Sequence, residues 1–260
     1  MLKVENVAFN HKGASILEGI TFALNAGEIL GVVGPNGAGK TSVVKALLGD
    51  IPVSGDVFFD GVKLRQLSQV QQAKHIAVLP QQSLLNFPYT VDEVVMLGRT
   101  PHSSSLKIDA SIVREAMAAM DIGYLAGRRY TELSGGEKQR TQLARVMAQI
   151  WRAEDAGPRL LILDEPTSSL DLGHKQQLMT QVKAFASQGV AVLLVEHDLN
   201  VVANYADVML ALQCGRIKRY GAIAQCLNED LVSQLFDADV SVVNQDGCIT
   251  VLNRPVSGHT

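Results

Sequence analysis

Residues 34–41 read Gly-Pro-Asn-Gly-Ala-Gly-Lys-Thr and match the pattern G-x-x-x-x-G-K-[ST] at every fixed position. The octet sits between a continuous apolar run, Ile29–Val33, and a segment of helical composition, Lys40–Leu48. A continuous apolar run of that length reads as a strand buried on both faces. The motif therefore lies in a strand–turn–helix setting, the setting in which it cradles phosphate. Gly34, Gly37 and Gly39 let the backbone approach phosphate oxygens closely. The N–H groups at the head of the following helix attract negative charge. Pro35, Asn36 and Ala38 complete the loop, and Lys40 has the reach to meet β- and γ-phosphates. One hydroxyl, Thr41 or Ser42, is the expected Mg2+ ligand. An α/β fold with a nucleotide site is the consequence.

The rest of the chain agrees with that class. Residues 2–9 and 20–24 are short apolar runs separated by turn residues, and read as antiparallel strands. A further strand is expected at 55–59, closed by the Asp60-Gly61 turn, and another over Ile76–Leu79. Residues 86–132 read as mainly helical, with breaks at Pro88 and Pro101, and 137–151 as a helix. Buried strands are expected at 160–163 and 190–195, with a helix over Leu172–Ser187 between them. Strands that alternate with helices give a mostly parallel sheet. The polar segment 152–159, which contains Gly157-Pro158, reads as a loop. Residues 208–219 read as a strand pair about Cys214-Gly215, Glu229–Phe236 as a short helix, and 240–252 as a small final strand pair.

The strand at 160–163 runs into Asp164 and Glu165. Carboxylates at the carboxyl end of a buried strand lie where α/β sheets bind ligands. Asp164 is placed to hold Mg2+ through water, and Glu165 to polarise an attacking water as general base. Composition narrows the remaining choices. The chain has 260 residues, 47% of them hydrophobic, enough for one large domain or two small ones and too apolar for disorder. Lys+Arg 23 against Asp+Glu 26 leaves a net charge of −3, so no basic excess points to nucleic acid. Cys214, Cys226 and Cys248 have no CxxC spacing, which speaks against zinc and a disulfide framework. Mean hydropathy is slightly positive at +0.13. No apolar run approaches the roughly 20 residues of a spanning helix, and the N-terminus does not read as a signal peptide.

A third motif, LSGGEKQR at 133–140, joins the first two. With these three in order, the chain resembles the ATP-binding subunits of ABC transporters. LSGGEKQR looks like that family's signature. Gln81 in VLPQQ looks like its Q-loop glutamine, chosen over Gln82 by the family pattern alone. The segment 168–171 resembles the D-loop, and His197 the switch histidine. The resemblance implies a P-loop NTPase with a RecA-like parallel-sheet core, an N-terminal antiparallel β subdomain and a helical signature subdomain. It implies one domain over 1–260, with 1–85 and 155–260 as core and β subdomain and 86–154 as helical subdomain. It also implies ATP and Mg2+ as ligands, with Thr41, Gln81 and Asp164 around the metal. Glu165, His197 and Gln81 take catalytic roles. Ser134, Gly135, Gly136, Glu137 and Asp171 complete the nucleotide site of a second copy. Ser134 and Glu137 also form a capping box, and both roles are compatible. The family stacks adenine on an aromatic residue near the end of the first strand. Here His11 occupies that place, with Phe9 two residues before it.

Residues 87–102, FPYTVDEVVMLGRTPH, resemble the importer group for iron siderophores, haem and vitamin B12. Val94, Met96 and Leu97 at helical spacing are expected to divide between core and a docking face for a membrane permease. WRAEDAGPR at 151–159 lengthens the connection after the signature helix, as in haem-importer ATPases. Hemin is thus the favoured cargo, with siderophore or B12 as the alternative. Expected partners are a second copy, a permease dimer and, indirectly, a periplasmic haem-binding protein. The expected place is the cytoplasmic face of the bacterial inner membrane. A soluble ABC ATPase of DNA repair or translation is disfavoured by the single P-loop and the absence of a heptad tract. A degenerate binding module is disfavoured by the intact Lys40, Asp164, Glu165 and His197.

Overall fold

The computed structural model describes residues 1–81, 85, 87–245 and 247–254. In chain order the elements begin β1 (Leu2–His11), β2 (Ala14–Leu24), β3 (Ile29–Val33), α1 (Lys40–Leu48), β4 (Ser54–Phe59) and β5 (Val62–Lys63). They continue with α2 (Gln69–His75), β6 (Ile76–Leu79), α3 (Val91–Met96), α4 (Leu106–Ala119), α5 (Gly135–Gln149) and α6 (Ala153–Ala156). Then come β7 (Leu160–Asp164), α7 (Leu172–Ser187), β8 (Ala191–Val195), α8 (Leu199–Tyr205), β9 (Val208–Gln213) and β10 (Arg216–Ala222). The last are α9 (Ile223–Cys226), α10 (Glu229–Phe236), β11 (Val240–Gln245) and β12 (Cys248–Asn253). The chain folds as two compact units, one of residues 1–64 and 193–260, the other of residues 65–192.

In the first unit, strands β2-β1-β4-β5 form an antiparallel sheet. Tight turns at Lys12-Gly13 and Asp60-Gly61 join neighbouring strands, and both residues of each turn have positive φ, as two-residue hairpins require. Beside this sheet the same unit holds β3 parallel to β9, with β10 antiparallel to β9. All five residues of β3 are buried, as its unbroken apolar run demands. Val33, Met209 and Ala211 share a core with Val202 of α8 and Leu231, Val232 and Leu235 of α10. The final hairpin, β11–β12, lies against α8. The Asn200 and Asn204 amides, one helical turn apart, pair with the backbone of Val251 and Ile249 at 2.7–3.3 Å.

In the second unit β6 and β7 are parallel, with Leu79 opposite Leu163. Helices α3, α4 and α5 pack around Val94, Val95, Ile112, Met117, Leu143 and Met147, all buried. At Gly98 the backbone comes so close to α5 that a Cβ would overlap the Arg145 carbonyl. The structure corrects the reading of 152–159 as plain loop. Ala153–Ala156 is one turn of helix. Arg159 is buried, donating to the carbonyls of Ile150, Trp151 and Gln188. A polar stretch ending in Gly157-Pro158 looked like solvent-facing chain because its charges find internal partners that sequence spacing does not reveal.

Candidate functional site

The phosphate loop belongs to the first unit. Gly34, Gly37 and Gly39 all have positive φ, at 153, 78 and 105°. Gly34 is fixed by space as well, since a Cβ there would strike the Leu212 carbonyl. Ala38 donates to the Pro35 carbonyl at 3.1 Å, closing the turn, and its own carbonyl accepts from Gly215 at 3.0 Å. Lys40 is buried, and its Nζ donates to the carbonyls of Gly34 (2.7 Å) and Pro35 (3.1 Å). The ammonium thus lies against the loop's own backbone. Asn36 and Gly37 are exposed at its crest, while Thr41 and Ser42 stand in the first turn of α1. His11 ends β1, exposed, with the Phe9 ring 6.1 Å away and tilted by 37°. His197 is also exposed and follows buried Glu196. The Glu196 N–H donates to the Val32 carbonyl at 3.3 Å, which sets His197 at the same end of β3 as the loop.

The second unit gathers the other residues. Because Leu79 and Leu163 are level in parallel strands, Gln81 and Glu165 emerge together beyond the carboxyl ends of β6 and β7. Gln81 Nε2 donates to Glu165 Oε2 at 2.9 Å. Glu165 holds a left-handed backbone at φ 54°, a strain of about 1–3 kcal/mol for a non-glycine residue. The Ser168 N–H and hydroxyl both donate to its carbonyl, at 3.4 and 3.1 Å. Asp164, the last residue of β7, is buried. Gln82 lies outside the described residues.

Ser134 caps α5. Its N–H donates to Glu137 Oε2 at 2.7 Å, and its hydroxyl accepts from the Glu137 N–H at 3.3 Å. The Ser134 backbone bond, joined by its hydroxyl, holds the Glu137 carboxyl below the usual range. Gly135 and Gly136 form the first turn, with open space where a Cβ of Gly135 would be. Gln139 donates to the Pro166 carbonyl at 3.0 Å, so the head of α5 is tied to the segment that follows Glu165. Asp171 caps α7 by accepting from the His174 N–H at 2.9 Å, and this bond with the His174 ring lowers its pKa. Loop, strand end, helix head and the Asp171 cap are thus each fixed by contacts within their own unit.

Residues 17–168 match the family described as ABC transporter. The chain is 45% identical over 243 residues to the hemin import ATP-binding protein HmuV of Pseudomonas aeruginosa, covering 93% of this chain and 94% of that protein. The HmuV of Gloeobacter violaceus is 44% identical over 257 residues, covering 97% and 94%. The chain belongs to the ABC transporter family, as an ATP-binding subunit. Among solved structures, an inward-facing conformation of a metal-chelate type ABC transporter matches with TM-score 0.79 at 27% identity, over 98% of this chain and 97% of that one. A dimeric bacterial ABC transporter cassette matches with TM-score 0.76 at 24% identity and supports the fold alone.

In this ABC ATPase two features escaped the sequence reading. One is a groove of about 410 Å3 in the second unit, lined by Tyr89, Met96, Leu97, Val113, Met117 and Ala126, with Asp92, Glu93 and Arg114 also on its walls. Val94 is core, Met96 half-buried and Leu97 exposed, so the expected division between core and outward face holds. The other is a buried charge cluster centred on Arg99, whose side chain is 2% exposed. The segment 98–102 entered the sequence reading only through the importer-group resemblance, and the spacing of Arg99, Asp109 and Asp155 gives no sign that they meet.

Proposed function

We propose that this chain is the ATP-hydrolysing subunit of an importer that energises hemin uptake across the inner membrane. The observation that carries this is the 45% identity to a hemin import ATP-binding protein over nearly the full length of both chains, with Lys40, Asp164, Glu165 and His197 all present. A permease dimer docks at the groove beside Leu97, which places the chain peripherally on the cytoplasmic face. Residues 86–154 act as the helical signature subdomain, and 1–85 with 155–260 as core and β subdomain. Two copies stack so that phosphates held by Gly34–Thr41 of one meet Ser134, Gly135 and Gly136 of the other. Glu137 holds that helix head, and Asp171 orders the seam. A periplasmic haem-binding protein delivers cargo to the permease.

The residues fit ATP and Mg2+. The positive φ of Gly34, Gly37 and Gly39 gives the loop the turns that wrap an anion, and the Lys40 ammonium already rests on loop carbonyls that it can exchange for phosphate oxygens. The Thr41 hydroxyl, the Gln81 amide and the Asp164 carboxylate are hard oxygen donors. Mg2+ characteristically takes only one or two carboxylates and completes its shell with water and phosphate. When bound, Mg2+ neutralises charge on the phosphate oxygens. Gln81 gives its Nε2 to Glu165, which leaves Oε1 as the end for a cation or its water. The Glu165 carboxylate takes a proton from water as the water oxygen attacks the γ-phosphorus, and the bond electrons leave with ADP. His197 donates to the γ-phosphate and loses that partner after hydrolysis, and His11 packs on adenine.

Reconstitution with the cognate permease and binding protein in proteoliposomes tests the cargo. Hemin-loaded binding protein is expected to raise ATP turnover severalfold. Stimulation by a ferric siderophore or cobalamin instead, with hemin inert, overturns the hemin assignment and leaves the ATPase standing.

A further inference from the structure

Two sequence segments remain without a task in this mechanism: GRTPH at 98–102 and WRAEDAGPR at 151–159, which the family resemblance reads as an insertion. In the structure they meet at one guanidinium. Arg99 Nε donates to Asp109 Oδ1 at 2.8 Å, and Nη1 to the Ala148 carbonyl at 2.8 Å. Its Nη2 donates to Asp155 Oδ2 at 2.7 Å and to Ser104 Oγ at 3.2 Å. Arg152 closes the cluster on Asp155, from Nη2 to Oδ1 at 2.5 Å and from Nε to Oδ2 at 3.1 Å. Two arginines and two aspartates balance. A planar fork with five donors can serve this many acceptors in fixed directions, and an ammonium cannot.

The acceptors matter because of where they lie. Ala148 is in the last turn of α5, the helix whose first turn holds Ser134–Gly136. His102 Nε2 lies 2.6 Å from the next carbonyl, that of Gln149, and must carry the proton there because a carbonyl only accepts. Cations and donors at a helix C-terminus are favourable to its dipole. The Gln149 amide in turn donates to the carbonyls of Ala73 and Ile76, where β6 begins its run towards Gln81. Arg99 itself follows directly on the groove residues Met96 and Leu97. The carboxyl end of α5 is therefore the junction of the groove segment, the insertion and β6.

We propose that Arg99 and Asp155 are positioning residues for ATP hydrolysis: their pair clamps the carboxyl end of α5 to the groove segment, so that the groove and Ser134–Gly136 move as one piece. The insertion is a brace that supplies the second carboxylate of this clamp. The proposal rests on the reading that Ser134–Gly136 completes the site of a second copy. Loosening the clamp leaves phosphate binding at Gly34–Thr41 intact and misplaces the signature during closure.

The test uses the purified full chain, with steady-state ATPase and amide hydrogen exchange on Arg99→Lys and Asp155→Asn. For Arg99→Lys, kcat is expected to fall about tenfold to hundredfold, the loss that a small misplacement produces, with KM for ATP unchanged. Exchange is expected to quicken across residues 91–99 and 143–150. Asp155→Asn keeps an acceptor for Arg99 and is expected to lose less. Trp151, packed 5.2 Å from Phe185, reports retained packing by its fluorescence. Should Arg99→Lys fail to fold, Asp155→Asn carries the test. Wild-type kcat in the folded variants, or faster exchange confined to 152–159, overturns the clamp. Ser134→Arg run alongside separates the two readings. Normal hydrolysis in that variant removes the signature reading, whereas its loss beside an active Arg99→Lys removes only the clamp.

Discussion

Glu165 is the general base of the proposed mechanism, and its surroundings say how it is held. A non-glycine residue at φ 54° persists only when its neighbours over-determine it. Here Ser168 fixes the carbonyl and Gln81 fixes the carboxylate. Glu165→Gln keeps the shape and removes the proton acceptor. Turnover is expected to fall by about 100-fold or more, with ATP still bound, as measured by single-turnover hydrolysis beside equilibrium nucleotide binding. A second residue-scale prediction concerns acid. The Asp155 carboxyl is held below its ordinary range first by Arg152, against the opposing effect of burial, with Arg99 adding to the lowering. Asp109 is lowered too, with burial outweighed by the Ser104 and Arg99 bonds. A depressed carboxylate contributes stability that is complete above its unfolded pKa, about 3.9, and is lost as pH falls through the folded value. The thermal midpoint is therefore expected to drop below about pH 4. Asp155→Asn, already lower at neutral pH, is expected to show a shallower drop in the same scan.

At the scale of the element, α5 does two things with one terminus. The capping box of Ser134 and Glu137 stabilises the helix, and in the proposed dimer the same turn presents N–H groups to an anion. Ser134→Ala is expected to cost about 1 kcal/mol of stability as a lost cap, with nucleotide binding by the monomer retained. Ser134→Arg is expected to block the ATP-driven dimer entirely, which size-exclusion chromatography with Glu165→Gln as background reads directly. How far such elements were legible in sequence differs by physical cause. The strand–loop–helix at 29–48 was readable because each part is specified locally: apolar run, glycines, helix formers. Gln81 was readable by family order and Glu165 by its place after a buried strand, but their 2.9 Å contact is a matter of parallel register. α2 went unread because none of its residues is buried, so no apolar stripe marks it. α8 was unread for a different reason. Its two asparagines satisfy backbone groups of β12, which a periodicity argument cannot see.

For the molecule as a whole, the question is where its apolar excess goes. Mean hydropathy is +0.13, yet among the described residues no helix is long and apolar enough to cross a membrane. Buried strands such as β3, β7 and β8 absorb much of it, since every residue in them is buried. Part of what remains outside lies at the groove. Phe87 is 62% exposed, and Tyr89 and Leu97 about 40%, around a groove whose walls also carry Asp92, Glu93 and Arg114. An apolar floor with charged residues at its margin suits the apolar face of a partner's helix. A charge on that floor must then be desolvated when the partner binds. Leu97→Asp is accordingly expected to reduce co-purification with the permease by about tenfold or more, equivalent to about 1.4 kcal/mol or more. An unchanged unfolding midpoint shows that the loss is not misfolding. If Leu97→Asp co-purifies as well as the wild type, the permease meets this subunit elsewhere, and the exposed aromatics at 87–89 need another occupant.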